Sequence, residues 1–269
     1  MPETARSARF VAWANAVLGG QVSPDLAAAR IAGHDVLHLV DGLPEGDRQT
    51  LPVVLARLSA YAVPAVRLVL PVFGDPVGLP AASAMTTAAL VAGEAVLLPP
   101  RAEGMFGLVP VEDDGSVVWT AYPAPPAPEL GLGPQPAQPA QPAQLALPTL
   151  AEADRDLAVA LREATDLLAD LDLARWDPDS AEAVDLLRRG RLDGDGLAPG
   201  YPNRAHEVLA RARRLRAIVE LAGRGDGAAV TARESAARIA ALVPLDRAAR
   251  YAEMAAYNAV LEPGLAPSP

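Results

Sequence analysis

Three aspartates on two loops are the residues of this chain best suited by type to do chemistry. Asp41 and Asp47 bracket the segment Asp41-Gly42-Leu43-Pro44-Glu45-Gly46-Asp47, and Asp75 lies in Phe73-Gly74-Asp75-Pro76-Val77-Gly78-Leu79-Pro80. Each segment follows a short apolar run that reads as a strand, and in open α/β sheets ligands sit beyond the carboxyl ends of the strands. Carboxylates converging there would offer a hard divalent cation the oxygen ligands it prefers. The competing reading is that the three shape turns and cap helices, the ordinary work of Asp in Gly- and Pro-rich loops.

A second constellation is His34, Asp35 and His38. The His34-Asp35 pair has the form used by HD phosphohydrolases, but that pattern needs an earlier histidine, and the only other one is His206. With His38 four residues beyond His34 on an extended segment, the two Cα atoms stand about 13 Å apart and cannot share an ion. An aspartyl phosphatase of the haloacid dehalogenase kind fails as well, because Leu39 occupies the nucleophile position two before Asp41. Asp193-Gly194-Asp195-Gly196 resembles a calcium loop only in its first residues: Arg204 stands where an EF-hand needs its bidentate Glu.

Two absences narrow the chemistry further. There is no cysteine, which removes thiolate nucleophiles and zinc-thiolate sites and leaves the redox compartment open. There is no lysine either, all 23 basic residues being arginine, which removes the Walker A lysine and Schiff-base chemistry. The bias toward Arg, Ala, Gly and Pro is that of a high-GC bacterial genome. No motif calls for a cofactor.

Positioning these residues falls to two unlike halves. Residues 123–148 contain Gln-Pro-Ala three times in register, at 135–143. A proline every third position forbids both helix and ladder strand and fits an extended polyproline II spacer. Before it, residues 1–122 read as a small α/β domain. A helix spans residues 10–18; Glu3 and Asn15 argue against reading it as a signal peptide, so a cytoplasmic location is expected. Ser23-Pro24 opens a second helix that Gly33 closes. Strands at 36–40, 66–70 and 95–98 alternate with helices at 50–62 and 82–92, an order that predicts a mainly parallel sheet. A hairpin at 106–111 and 116–122, turning at Asp113-Asp114-Gly115, is expected to add to one edge.

After the linker, residues 149–262 read as an α-helical bundle of about five helices, with a disordered tail at 263–269. Thr149 and Glu152 form a capping box, and Leu150, Leu157, Ala164 and Leu171 recur every seven residues. A second helix is expected from Asp177-Pro178 to Gly190 and a third from about 202. A fourth opens at the Thr231–Glu234 capping box, Pro244 ends it, and a fifth spans 245–261. The third carries Arg204, Arg211, Arg213, Arg214 and Arg216, which fall on two edges of its apolar stripe; an acidic excess in residues 149–195 is expected to face them.

At 51% hydrophobic the chain can build real cores, and its net charge of −10 works against generic attraction to nucleic acid. No apolar run is long enough to cross a membrane. The expectation is therefore a non-catalytic interaction or adaptor protein with a protein partner. The alternatives are a carboxylate site at Asp41, Asp47 and Asp75, serving an enzyme or a metal-dependent binder, and a nucleic-acid reader built on the arginines of the third helix.

Overall fold

The computed structural model describes residues 4–43, 47–60, 63–77, 79, 83–98, 105–123, 147–170, 196–224 and 232–261. Two compact units emerge: one comprises Thr4–Leu147 with Leu197–Gly200, the other the remaining C-terminal residues. The Gln-Pro-Ala repeat lies outside the described residues.

In the first unit, helix α1 (Arg6–Leu18) is followed by α2 (Pro24–Ala32), β1 (His38–Asp41), β2 (Gln49–Thr50), α3 (Leu51–Ala60), β3 (Arg67–Val69), α4 (Ala84–Ala92), β4 (Ala95–Leu97), β5 (Met105–Asp113) and β6 (Ser116–Pro123). Local chemistry sets several of these limits. The Ser23 hydroxyl accepts from the Leu26 amide at 3.3 Å with Pro24 in the first turn, and Gly33 stops α2 at φ 58°. Ser83 caps α4 in the same way, and Gly93 ends it in the left-handed region.

The six strands lie in the order β2-β1-β6-β5-β4-β3. Among the described residues only β1 and β6 pair in parallel, and every other pair is antiparallel. The mainly parallel sheet read from the sequence is thus corrected to a mixed, mostly antiparallel one. A helix between two strands signals a parallel crossover only when it carries the chain back along the sheet. At nine residues α4 is about 13 Å long, and the chain re-enters the neighbouring strand from the end at which it left. The β5–β6 hairpin is likewise not an edge addition but the middle of the sheet. Asp114 and Gly115 form its two-residue loop, both at positive φ as a type I′ turn requires.

Helix α1 is the core of this unit. Its far side is covered as well as its near one: Phe10, Val11, Ala12 and Ala14 are all essentially inaccessible. It packs on α2, α3, β3, β4 and β5. Asn15, a poor fit to a helix interior by propensity, replaces a strand partner: its amide donates to the Val66 carbonyl at 3.0 Å and accepts the Val66 amide at 2.8 Å.

The second unit contains α5 (Leu150–Asp170), α6 (Asn203–Arg224), α7 (Ala232–Asn258) and a 3-10 turn (Ala259–Leu261). Among the described residues, these three helices account for four of the expected five. The one expected at 177–190 lies outside the described residues. The fourth and fifth are a single helix running through Pro244. An interior proline costs about 3 kcal/mol, a penalty that the burial of Leu245, Ala249, Ala252, Met254 and Tyr257 on the same helix can offset. The Thr149–Glu152 box forms as expected, with reciprocal bonds of 2.9 and 3.2 Å. Leu150, Leu157 and Ala164 are buried, while Leu161 is 38% exposed.

The sheet tolerates no side chain at residue 107: a Cβ on Gly107 would lie 2.4 Å from the Met85 methyl and 2.5 Å from the Val96 carbonyl oxygen. Gly107→Val is expected to lower unfolding stability by about 1–3 kcal/mol, read from the urea midpoint, with Met85→Ala partly restoring it.

Candidate functional site

Arg6, Arg9, Asp35 and His38, all buried or half-buried, meet where the N-terminal end of α1 approaches β1, β5 and β6. Asp35, in the turn before β1, receives the Arg6 guanidinium in a fork, Nε and Nη2 each at 3.2 Å from one carboxylate oxygen. Arg9, one turn along α1, adds a contact at 3.3 Å, and Nε2 of His38 lies 3.0 Å away. Arg9 reaches this point because Gly33 has no side chain; a Cβ there would come within 2.8 Å of its Nη1. On the other side of the imidazole, the Trp119 indole N–H donates to Nδ1 at 3.1 Å. The indole in turn lies against the Phe10 ring, centroids 4.9 Å apart.

This geometry fixes the histidine's protons. Indole nitrogen can only donate, so Nδ1 must be the acceptor; in the neutral ring Nε2 then carries the hydrogen and gives it to Asp35. The His38 side chain is 1% exposed. Burial pushes its pKa below the ordinary value, Asp35 pulls it the other way, and Arg9 and Arg6 add to the lowering. Burial of Asp35 works against its ionisation, but the hydrogen bonds from Arg6 and His38 outweigh it and hold the carboxyl below its usual range. Both ring nitrogens are committed, so His38 has no nitrogen to offer a substrate or metal.

Arg6 also reaches Glu112 on β5 at 3.2 Å, and so forms one wall of a groove of about 660 Å³ between α4 and β5. Its floor is apolar, drawn from Ala84, Ala88 and Val91 of α4 and Pro110 and Val111 of β5. Val91 is 77% and Val111 52% exposed. Helix α4 contains no charged residue at all: one face, Met85, Thr86 and Ala89, is buried, and the other lines the groove. At the groove's inner end Glu94 accepts the Ser7 amide at 2.5 Å and so caps α1, whose own N-cap residue, Ala5, has no side-chain acceptor. Burial raises the Glu94 pKa, an effect that the Ser7 and Arg6 amides only partly offset.

The three aspartates singled out in the sequence are not brought together. Asp41 spends its carboxylate on the Gly42 amide and on Arg48 within its own loop. Asp47 precedes β2 on that same loop. Asp75 closes a tight turn with Val72 after β3. Strand β3 is four positions from β1, about 19 Å at the usual strand spacing, and runs in the opposite direction, so Asp75 and Asp41 project from opposite ends of the sheet. Among the described residues no three His, Asp or Glu side chains are grouped to hold a metal ion. His34 is exposed and apart from the His38 network. Asp193 and Asp195 of the calcium-like segment lie outside the described residues. Arg6, Arg9, Glu94 and Trp119 carry the geometry here, and no motif marks them; two arginines one turn apart in a mostly apolar helix are the usable sign of a buried acid.

In the second unit the arginines of α6 turn to acidic neighbours on two sides. Arg204 and Arg211 pair with Asp154 of α5, and Arg213 and Arg216 converge on Glu253 of α7, whose side chain is 5% exposed. Arg216 also lies 3.8 Å from Asp246.

An α/β domain with a six-stranded mixed sheet followed by a helical domain is the class that these features define. The chain belongs to the Rv1486c-like protein family: the family's N-terminal domain matches residues 7–131 and its C-terminal domain residues 151–254. Two proteins of Mycobacterium tuberculosis are similar over nearly the whole length, "Uncharacterized protein MT1533" of strain CDC 1551 and "Uncharacterized protein Rv1486c" of strain H37Rv. Each is 32% identical, over 93% of this chain and 94% of its own. No solved structure matches. Among the described residues no helix is long and apolar enough to cross a membrane.

Two substitutions test the buried networks. Trp119→Phe keeps the ring but leaves Nδ1 of His38 buried without a donor, and should cost about 1–3 kcal/mol in urea unfolding at pH 8. Glu253→Ala strips two guanidinium groups of one acceptor and should cost about 1.5–3 kcal/mol, seen as a lower thermal midpoint of the helical signal.

Proposed function

We propose that this is a non-catalytic interaction protein, and that the α4–β5 groove receives a polypeptide segment of small apolar side chains carrying an arginine or lysine. The observation that carries the reading is α4 itself. A helix without a single charge is ordinarily buried all round, yet this one leaves Ala84, Thr87 and Val91 exposed. Its alanines at 84, 88 and 92 recur every four residues, which lets another backbone approach closely. The rim selects for positive charge: the groove's lining holds two acids, Glu94 and Glu112, the latter 62% exposed, against one base, Arg6, which Asp35 and Glu112 share. A net charge of −10 steers basic segments in the same direction. Among the described residues, His38 is engaged by Asp35 and Trp119, and Arg204, Arg211, Arg213 and Arg216 of α6 by Asp154 and Glu253, which speaks for a structural role of those side chains over catalysis or a nucleic-acid face built on them.

Selection of peptides from a random library on the full-length chain tests this. Selected sequences should pair small apolar residues with a basic one, and Val91→Asp or Ala88→Arg should weaken their binding at least tenfold while thermal stability is retained. Binding indifferent to both substitutions would overturn the groove as the site. Concentration-dependent dimerisation abolished by the same substitutions would replace the foreign segment by a second copy of the chain.

A further inference from the structure

We infer that His38 is a proton-operated latch that fastens α1 to the sheet and releases it when its Nδ1 takes up a proton. The argument rests on donors and acceptors. In the neutral ring, Nδ1 accepts from the Trp119 indole and Nε2 donates to Asp35, so both partners are matched. A proton on Nδ1 leaves Nε2 donating to Asp35, a bond that the added charge strengthens. The same proton turns the other contact into two N–H groups facing each other at 3.1 Å, neither of them open to solvent, since Trp119 is 0% and the His38 side chain 1% exposed. The indole must then give way, and the ring it leans on is Phe10 of α1.

The charges around the imidazole come from three elements. Asp35, before β1, favours the imidazolium; Arg6 and Arg9 of α1 oppose it; Glu112 of β5 acts only through Arg6. His34 is exposed, and β6 contributes the uncharged Trp119. Burial further delays protonation. With the folded pKa depressed, the stabilisation is complete above about pH 6.5, the ordinary histidine value, and is lost as pH falls from there through the folded value. Glu94 works in the opposite sense: its raised pKa favours the fold as pH falls toward the carboxylate range. Acid loosening between these ranges is therefore assigned to His38. Arg6 links the latch to the groove rim, a connection that rests on the function proposed above; the latch itself does not.

The full-length protein, labelled for NMR, is titrated from pH 8 to 4.5. The Trp119 indole N–H signal, identified by its loss in Trp119→Phe, should move with the same midpoint as the His38 ring nitrogens, and amide protection in α1 should fall about tenfold across it. His38→Gln, which cannot titrate, should abolish that transition. An indole signal that stays fixed while the His38 nitrogens titrate would overturn the inference, as would an unchanged transition in His38→Gln. So would His38 remaining neutral until the whole chain unfolds. These readouts need no partner, so failure of the groove reading leaves them interpretable. If His38→Gln does not fold, the coincidence of indole and imidazole midpoints in the parent chain decides.

Discussion

A guanidinium carried into a protein interior has to be met by a carboxylate, and the first domain is organised around meeting that demand twice. Arg6 and Arg9 lie one turn apart on α1, and α1 is surrounded by other elements. Asp35 answers both, which pins the turn between α2 and β1 against the helix. Through Asp35 the requirement passes to His38 and then to Trp119, and so from a helix to two strands adjacent in the sheet but far apart in the chain. Breaking one partner of such a cluster costs more than the cluster adds over an apolar core, so the chain's N-terminal turn, the turn before β1 and the central hairpin are held to one arrangement.

The second domain solves a similar problem with a different distribution. Its helices are short of large side chains and rich in alanine, so they pack closely and leave the rims to long arginines. Two acids, Asp154 and Glu253, each collect two guanidinium groups from opposite sides of α6. Tyr201 and Tyr257 extend the second cluster, the Tyr201 hydroxyl donating to the Tyr257 carbonyl at 2.8 Å.

Local features were legible in the sequence wherever one residue type has one physical use. Ser23 with Pro24, Gly33, the Thr149–Glu152 pair and the Asp114-Gly115 turn all stand where backbone chemistry demands them. The two edges of arginines on α6 were legible too, since helical periodicity separates Arg204 and Arg211 from Arg213 and Arg216. Strand direction was not legible. A helix between two strands reads the same whether the chain returns along the sheet or stays at one end, and only the packing of α4 on β5 distinguishes them. With direction misread, Asp41 and Asp75 fell on one imagined edge. Pro244 misled for a related reason: the local penalty is real, and the packing that overrides it is non-local. The site at Asp35 was hidden because its members are separated by up to 113 residues, from Arg6 to Trp119, and none belongs to a motif.

The two-residue tip of the central hairpin has a consequence for how this family can vary in length. Side chains alternate between the faces of a strand, and Trp119 is the fourth residue beyond Gly115, in register with Pro110. An insertion of one residue at the tip that the loop does not absorb would turn every later side chain of β6 over, carrying the indole away from His38 and Phe10 and bringing Val118 in its place. An insertion of two would preserve the faces. Length change at this tip is therefore quantised: relatives that retain the tryptophan are expected to differ here by even numbers of residues, whereas the loop between β1 and β2, which carries no such buried ring after it, is free of that parity.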